Sequence, residues 1–542
     1  MTGVLQVGIK ICSAGNLYII KTGVMKLLQS AALILFFHVC NAQYDDSGRR
    51  GLYFPKTVYS GVILPEYEKS LHLLPEPVLT DDPRLIELYN ITWQIAFDHF
   101  RNPGPGSPFV SDYIDEAFAP QIFQWDTFFM LMFSRYGFHL FPSIGSLDNF
   151  YRMQYENGYI CREISETDGR DFVFGGREHT VNPPLFSWIE WQYYLISGDD
   201  SRFSTILAPL EKYAGWLEQY RKKEGTVHGL YWQTGLGSGM DNTPRSGSGW
   251  TDMSSQMVMM YDHLAMICNK LGERGKAEQY AARARATGEK INRYMWNDED
   301  GLYYDVDDEG KQIRCKTIAC FWPMLAGIAD EKMASAMIRN LKDPRTFWRP
   351  TPFPSLAADH KMYKADGDYW LGSVWAPTNV MVFKGIDRYP EVAGSAEFNS
   401  EAVLRYLEVM SYVFRKTGTL WENYAPESCM RGIPSRPGFV GWSGCGPVQL
   451  LIENILGFRP DAPENRLQWN IQRIDRHGIR NLRFGKVIVT AIAEKRSDLT
   501  KPIEIAVDSN VPFNLEIVSG SKQEIYQIKE GENRLVFNNH QQ

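Results

Sequence analysis

The feature that most restricts this chain is a period. From about Leu85 to about Phe458, apolar residues return roughly every 3.6 positions in one segment after another. Leu85, Leu88, Ile91, Ile95 and Phe97 mark the first, within Leu85–Phe100. The same spacing predicts helices over Pro184–Leu195, Phe203–Tyr220, Ser254–Leu271, Lys276–Met295, Lys316–Ala326, Lys332–Leu341, Tyr369–Phe383, Glu397–Lys416 and Gly446–Leu456. Helix pairs recur about every 50–70 residues, without an exact internal repeat. About a dozen such helices in hairpins can bury their apolar stripes together by closing into a double ring, an (α/α)6 toroid.

The texture changes after Phe458. Arg459-Pro460-Asp461-Ala462-Pro463 reads as a linker. Short β-type runs follow at Leu467–Ile471, Leu482–Phe484, Lys486–Ala493, Ile503–Val507, Phe513–Val518 and Asn533–Phe537. They suggest a small, sandwich-like all-β domain. The expected division is therefore a presequence over 1–42, an irregular, Pro-punctuated segment over 43–84, a mainly α toroid over 85–458 and a β domain over 459–542.

Residues Met25 to Gln43 carry Lys26, the apolar run Ala31–Val39 and a small residue, Ala42, which is the pattern of a secretory signal with its start at Met25. The run is shorter than the about 20 residues needed to span a bilayer. Phe37-His38-Val39 lacks the small residues that precede a lipidated Cys40, so soluble export, to a bacterial periplasm, is the reading. No later stretch is apolar enough to cross a membrane. Cys161, Cys268, Cys315, Cys320, Cys429 and Cys445 show no metal-binding spacing and no disulfide framework, although a Cys429–Cys445 bond stays open. A net charge of −7 without a Lys/Arg stripe argues against a nucleic-acid partner. An aromatic content of 13% argues against disorder.

Long loops separate the helices, and in a compact helical domain such loops usually carry function. Two present an acid. In Gly235-Leu236-Gly237-Ser238-Gly239-Met240-Asp241-Asn242-Thr243-Pro244-Arg245, glycines let the backbone approach a ligand and offer Asp241 beside Arg245. In Gly418-Thr419-Leu420-Trp421-Glu422-Asn423-Tyr424, Glu422 lies between aromatics. Two carboxyl groups flanking one bond are what glycoside hydrolysis needs.

The motifs around these acids extend the argument. Gly239–Arg245 resembles the Gly-x-Asp-Asn-Ser-Pro-Arg motif of the trehalase and glycoside hydrolase family 63 group, and Glu422-Asn423-Tyr424 with Pro426 resembles its Glu-Asn-Tyr-x-Pro motif. Trp125-Asp126 resembles the group's substrate-binding Trp-Asp. Asn182-Pro183-Pro184 resembles its Gln-Pro-Pro turn, and Tyr369-Trp370-Leu371-Gly372-Ser373-Val374-Trp375 its Tyr-Trp-Arg-Gly-x-x-Trp, with Leu371 in place of Arg. Gly441-Trp442-Ser443-Gly444 matches the last barrel element. The resemblance covers about Leu85–Phe458. It implies an inverting, exo-acting α-glycosidase, of α-glucosidase or trehalase type, on an α-linked di- or oligosaccharide, with no metal and no cofactor. Asp241 would be the general acid and Glu422 the general base, with carboxyls about 6.5–9.5 Å apart. Trp125, Trp370, Trp375 and Trp442 would stack on sugars, and Tyr369 and Asn182 would belong to the substrate site. Asp126 and Asn242 would bind hydroxyls, and Arg245 would hold either Asp241 or a hydroxyl.

Other readings stay open. A non-catalytic carbohydrate-binding protein would share the aromatics and the leader. A toroid lyase or epimerase would lean on His, Tyr or Arg. Glu178 and His179 read as a surface pair, and Asp252 and Gln256 as support behind the acid loop. Asp305–Gly310 resembles a calcium loop, but the twelfth position is Lys316 rather than Glu, so it reads as an acidic hairpin. The sugar, the linkage and the oligomeric state are not legible.

Overall fold

The computed structural model describes residues 42–44, 48–56, 59, 61, 63–116 and 119–538. The leader, Cys12 and Cys40 lie outside the described residues, except that Ala42 opens a strand, Ala42–Tyr44, paired with Asp171–Val173.

Helical elements alternate between two rings. The outer ring is Pro83–Phe97, Gly145–Arg152, Arg202–Tyr220, Arg274–Tyr294, Glu331–Leu341 and Ser395–Thr417. The inner ring is Gln124–Ser134, Phe186–Ser197, Thr251–Lys270, the short turns Ile318–Phe321 and Trp322–Leu325, Ala376–Asp387, and finally Trp442–Cys445 with the π-helix Gly446–Ile455. Each inner element packs on the next, and the last returns to the first, which closes the toroid. Burial explains the sorting. Every residue of Gln124–Ser134 is buried, whereas Arg274–Tyr294 buries only Ala277, Ala284, Thr287 and Ile291. A helix apolar on all sides belongs in a core; one with a narrow apolar stripe belongs at the rim.

Three expectations change here. The helix expected over Tyr369–Phe383 starts only at Ala376, because Gly367, Asp368 and Tyr369 have positive φ and form a turn instead. Gln124–Ser134 is absent from the expected helices, since a uniformly apolar segment has no period to read. The expected linker is partly a strand: Phe458–Asp461 pairs antiparallel with Arg466–Asn470. Pro460 is tolerated there because the strand lies at a sheet edge.

Two sheets follow the toroid. One has the order Phe458–Asp461, Arg466–Asn470, Phe513–Ser519, Lys522–Ile528. The other runs Gly531–Phe537, Ile503–Ser509, Val487–Ala493, His477–Phe484, Glu76–Leu79. Segment 43–84 is thus not wholly irregular: Glu76–Leu79 lends an edge strand to a sheet built some 400 positions later, pairing with His477–Arg480. Alternate residues of the inner strands, such as Leu467, Trp469, Val489, Ile505 and Leu515, are buried. One apolar core runs from Phe54 to Phe537 across helices and sheets. At the joint, Phe458 stacks on Trp469 at 4.5 Å, and the Trp469 indole donates to the Leu456 carbonyl at 2.9 Å.

Candidate active site

The N-terminal ends of the inner elements gather the motif residues. Asp126 lies in the first turn of Gln124–Ser134, Trp250 caps Thr251–Lys270, Trp375 caps Ala376–Asp387, and Trp442 opens the last inner element. Helix N-termini carry partial positive charge and suit a site built from carboxylates.

The acid loop is fixed from four sides. Gly235–Ser238 forms one helical turn, with the Gly237 N–H donating to Thr234 at 3.0 Å. Arg162 donates to the Leu236 carbonyl at 2.8 Å, and Asn182 to the Gly237 carbonyl at 3.3 Å. Gly239 has φ of 74°, and a Cβ there would sit 3.0 Å from the Trp125 ring. Only glycine meets both conditions. Arg245 closes the loop: its guanidinium, 1% exposed, donates to both oxygens of Asp252 and both of Asp305 and lies over the Trp250 ring at 4.4 Å.

The base loop is pinned as firmly. The Glu422 N–H donates to the Arg436 carbonyl at 3.0 Å, and the Arg436 N–H returns a bond to Glu422 Oε2 at 3.2 Å. The Trp442 indole donates to the Glu422 carbonyl at 2.8 Å. The Val374 N–H donates to the Tyr424 carbonyl at 2.9 Å, which joins this loop to the Tyr369–Trp375 motif.

The two acids share an electrostatic environment. Burial pushes Asp241 up to about 6, while Arg162 and a hydrogen bond from the Tyr369 hydroxyl pull it down and Glu163 adds to the rise. Burial pushes Glu422 up to about 7, against the Arg436 guanidinium and backbone N–H, with Asp241 adding repulsion. Asp126 is raised well above the ordinary range by burial and then by Glu422. Glu422 therefore lies close enough to Asp126 and to Asp241 for repulsion to be felt.

The aromatics form a wall more than a row of free platforms. Trp370 and Trp375 stack on each other at 4.0 Å, Tyr369 meets Trp375 edge-on at 5.1 Å, and Trp442 meets it at 5.7 Å. Trp370 and Trp375 thus cover one face of each other. The indole N–H groups of Trp125 and Trp375 and Asp126 Oδ1 are buried with no hydrogen-bond partner among the described residues, so these three predicted site residues keep spare polar capacity beside the two acids.

Three residues expected on substrate have other partners. Arg245 is saturated by two carboxylates. Asn182 holds the acid loop. The Asn242 amide bonds the Asp368 carbonyl and the Trp370 N–H. The reason is common to all three: a Gly-rich loop in a buried setting must have its backbone and its cations satisfied from nearby side chains. Leu371 packs against Leu356 and Cys315, in a small apolar cluster of its own. Glu178 pairs with His179 at 3.6 Å, and Asp305 is taken by Arg245 rather than a calcium loop. Cys429 is exposed and Cys445 buried, and both are free thiols. Among the described residues, no group of three or more His, Cys, Asp or Glu could hold a metal ion, and no helix is long and apolar enough to cross a membrane. Sequence reasoning missed Arg162, Glu163 and Arg436, which sit in no motif and reach the acids only through folding.

Residues 175–431 match the family described as the mannosylglycerate hydrolase MGH1-like glycoside hydrolase domain, a span that holds both acid loops. The chain carries a glycoside hydrolase domain, in a toroid fold similar to that of family 63 enzymes. A non-catalytic sugar-binding role is set aside. The hydrolase is 28% identical over 392 residues to an uncharacterised protein of Borreliella burgdorferi, covering 71% of this chain and 80% of that one. Its fold is similar to the family 63 mannosylglycerate hydrolase of Thermus thermophilus, solved with glucose: TM-score 0.52, 18% identity, 67% of this chain and 99% of that one. A sialidase matches with TM-score 0.64 at 14% identity over 90% of this chain and 42% of its own. At these identities the structural likeness speaks for the fold, and the sialidase match extends it across helices and sheets.

Proposed function

We propose that the hydrolase is an exported, inverting, exo-acting α-glycosidase in which Asp241 protonates the glycosidic oxygen and Glu422 activates water on the opposite face of the sugar. The observation that carries this reading is the pair itself: a part-buried Asp241 and a buried Glu422 on separate loops, raised to about 6 and about 7, with Asp241 adding to the rise of Glu422. Catalytic carboxyls are tuned toward neutrality in this way. Asp126 and the indole N–H groups of Trp125 and Trp375 supply ligand-facing polar groups, and Arg436 supplies a cation beside Glu422 and Asp126. The structural neighbour that acts on mannosylglycerate, and was solved with glucose, makes α-mannosides and α-glucosides the first substrates to try. The Met25–Gln43 leader supports export.

Burial raises Glu422 to about 7, above Asp241 at about 6. The productive form, with Asp241 protonated and Glu422 ionised, is then the minority of the singly protonated enzyme. Such a minority form still gives a bell-shaped kcat/KM, with limbs set by the pair.

The test is a screen of α-linked gluco- and manno-disaccharides and of the two α-glycosyl fluorides, with NMR reading the first anomer released. A β-anomer is expected. D241N should lose disaccharide hydrolysis by more than about 100-fold yet keep fluoride hydrolysis, since fluoride needs little acid help; E422Q should lose both. An α-anomer, or full disaccharide activity in either variant, would overturn the assignment.

A further inference from the structure

The turn before the inner helix Ala376–Asp387 holds two consecutive non-glycine residues in the left-handed region, Asp368 at φ 38° and Tyr369 at φ 64°. Backbone of this kind persists only where its surroundings over-determine it, and it gathers at working sites. Backbone bonds from Leu371 and Ser373 hold the turn from within, and one side chain braces it from the acid loop. Asn242 Nδ2 donates to the Asp368 carbonyl at 3.0 Å, and the Trp370 N–H donates to Asn242 Oδ1 at 2.8 Å. The amide therefore bridges the backbone on either side of Tyr369. The Tyr369 N–H adds a bond to the Ile433 carbonyl at 3.3 Å, and its ring leans edge-on against Trp375.

Asn242 is the residue next to Asp241, so the acid and the tyrosine are held in one frame. The Tyr369 hydroxyl lies beside Asp241 and lowers its pKa, and Glu422 and Asp126 also act on it. It is the uncharged polar group among three carboxyls. A left-handed Tyr369 faces this cluster; relaxation of the turn to an ordinary conformation would swing the ring away from it.

We propose that Asn242 is a positioning residue that fixes the left-handed turn at Asp368–Tyr369 and so holds the Tyr369 hydroxyl on the Asp241 carboxyl. Asn242 in this role orients the acid's partner and is not a ligand for a sugar hydroxyl. Tyr369 in turn favours the carboxylate form of Asp241 and aims it. The inference rests on Asp241 as the general acid, and D241N tests that assignment separately: if D241N stays fully active on the disaccharide, the functional reading fails, whatever Asn242 does.

The experiment uses the full chain and the gluco- or manno-disaccharide that it cleaves fastest. Y369F, N242A, the double variant Y369F/N242A and the pair N242A/D368G are compared in kcat, KM and pH profile. Loss of the hydroxyl raises the Asp241 pKa; Asp241 is the lower of the pair, so the acidic limb of the kcat/KM profile, set by the lower macroscopic value, should move up in Y369F and in N242A alike. N242A should lower kcat at least 30-fold with KM changed less than 3-fold, and the double variant should be no worse than N242A alone. Glycine takes a positive φ without a Cβ clash, so D368G should restore at least 5-fold of the lost kcat in the N242A background. Should N242A fold poorly, N242S, which is short and adds no charge beside Asp241, carries the same readouts. Multiplying losses in the double variant, an unmoved acidic limb, a rise confined to KM, or no rescue by D368G would each overturn the proposal.

Discussion

Asp241 and Glu422 are raised mainly by burial, which penalises their charged forms. The same fact makes them a cost to folding. A carboxyl whose folded pKa is raised contributes full stability below its unfolded value, about 4, and loses it as pH rises through the folded value. For these two the loss falls between about pH 4 and about pH 7. D241N and E422Q remove the titration, so each variant should be more stable than the parent at pH 8, by about 1–3 kcal/mol, and no different at pH 4. Calorimetric Tm at the two pH values checks this; a lower Tm at pH 8 would mean that the carboxylates support the fold. Gly239 makes a second residue-scale case. Its φ of 74°, with the Trp125 ring 3.0 Å from where a Cβ would lie, leaves no room for alanine. G239A should cost about 1–3 kcal/mol and lower kcat by at least 10-fold, because the strain falls on the acid loop and on Trp125 together.

Between the residue and the molecule stands the clamp on the acid loop. Arg245 joins that loop to Asp252 in the first turn of Thr251–Lys270 and to Asp305 in the hairpin beyond, and the Thr251 N–H donates to the same Asp305 at 2.8 Å. Without the guanidinium, two buried carboxylates would face each other unpaired. R245M should destabilise the protein by about 3–5 kcal/mol in urea unfolding at pH 7. R245K should recover only part of this, since an ammonium cannot serve both carboxylates bidentately. A direct sugar contact at Arg245 would instead raise KM and leave stability near that of the parent. At the opposite loop, the Trp442 indole ties the last inner element to the backbone of Glu422, so this tryptophan belongs as much to the loop as to any sugar platform.

At the scale of the whole molecule, buried charges knit the rings together. Glu453, on the π-helix, receives Arg135 from the turn after Gln124–Ser134 and Lys384 from Ala376–Asp387. Despite its burial, Lys384 and Arg135 hold it down to about 2. A lowered carboxyl contributes stability above its unfolded value near 4.5 and loses it as pH falls toward the folded one. E453Q should therefore cost about 3–5 kcal/mol at pH 7, and the gap to the parent should narrow below pH 4. Chemical unfolding across that range is the measurement. The sheets are bound in just as closely. Glu76–Leu79 pairs into the C-terminal sheet, Arg459 pairs with Asp387 at 2.7 Å, and the apolar core is continuous. A chain truncated after Phe458 should aggregate, and limited proteolysis should yield no stable fragment over 85–458. Isolation of a folded, active toroid would contradict this.

Periodicity in the amino-acid sequence is enough to determine most of the helices, because an amphipathic helix at the outer ring must repeat its apolar stripe every turn. It likewise shows most strands, where burial alternates, as in Ile503–Ser509. It does not reveal Gln124–Ser134, which is buried on all sides, or Lys522–Ile528, where Ile525 is exposed and only Ile528 is buried. The two acid loops are legible because glycines and an acid stand next to each other in the chain. What surrounds the acids is not. Arg162 and Glu163 act on Asp241 across a long stretch of chain, Arg436 folds back on Glu422 from 14 positions on, and Asn242 reaches Asp368 over 126 positions. Local pattern reports which face of a segment is apolar. Closure of the ring alone decides which polar groups meet, and with it the protonation of the acids and the division between residues that touch a ligand and residues that hold the loops.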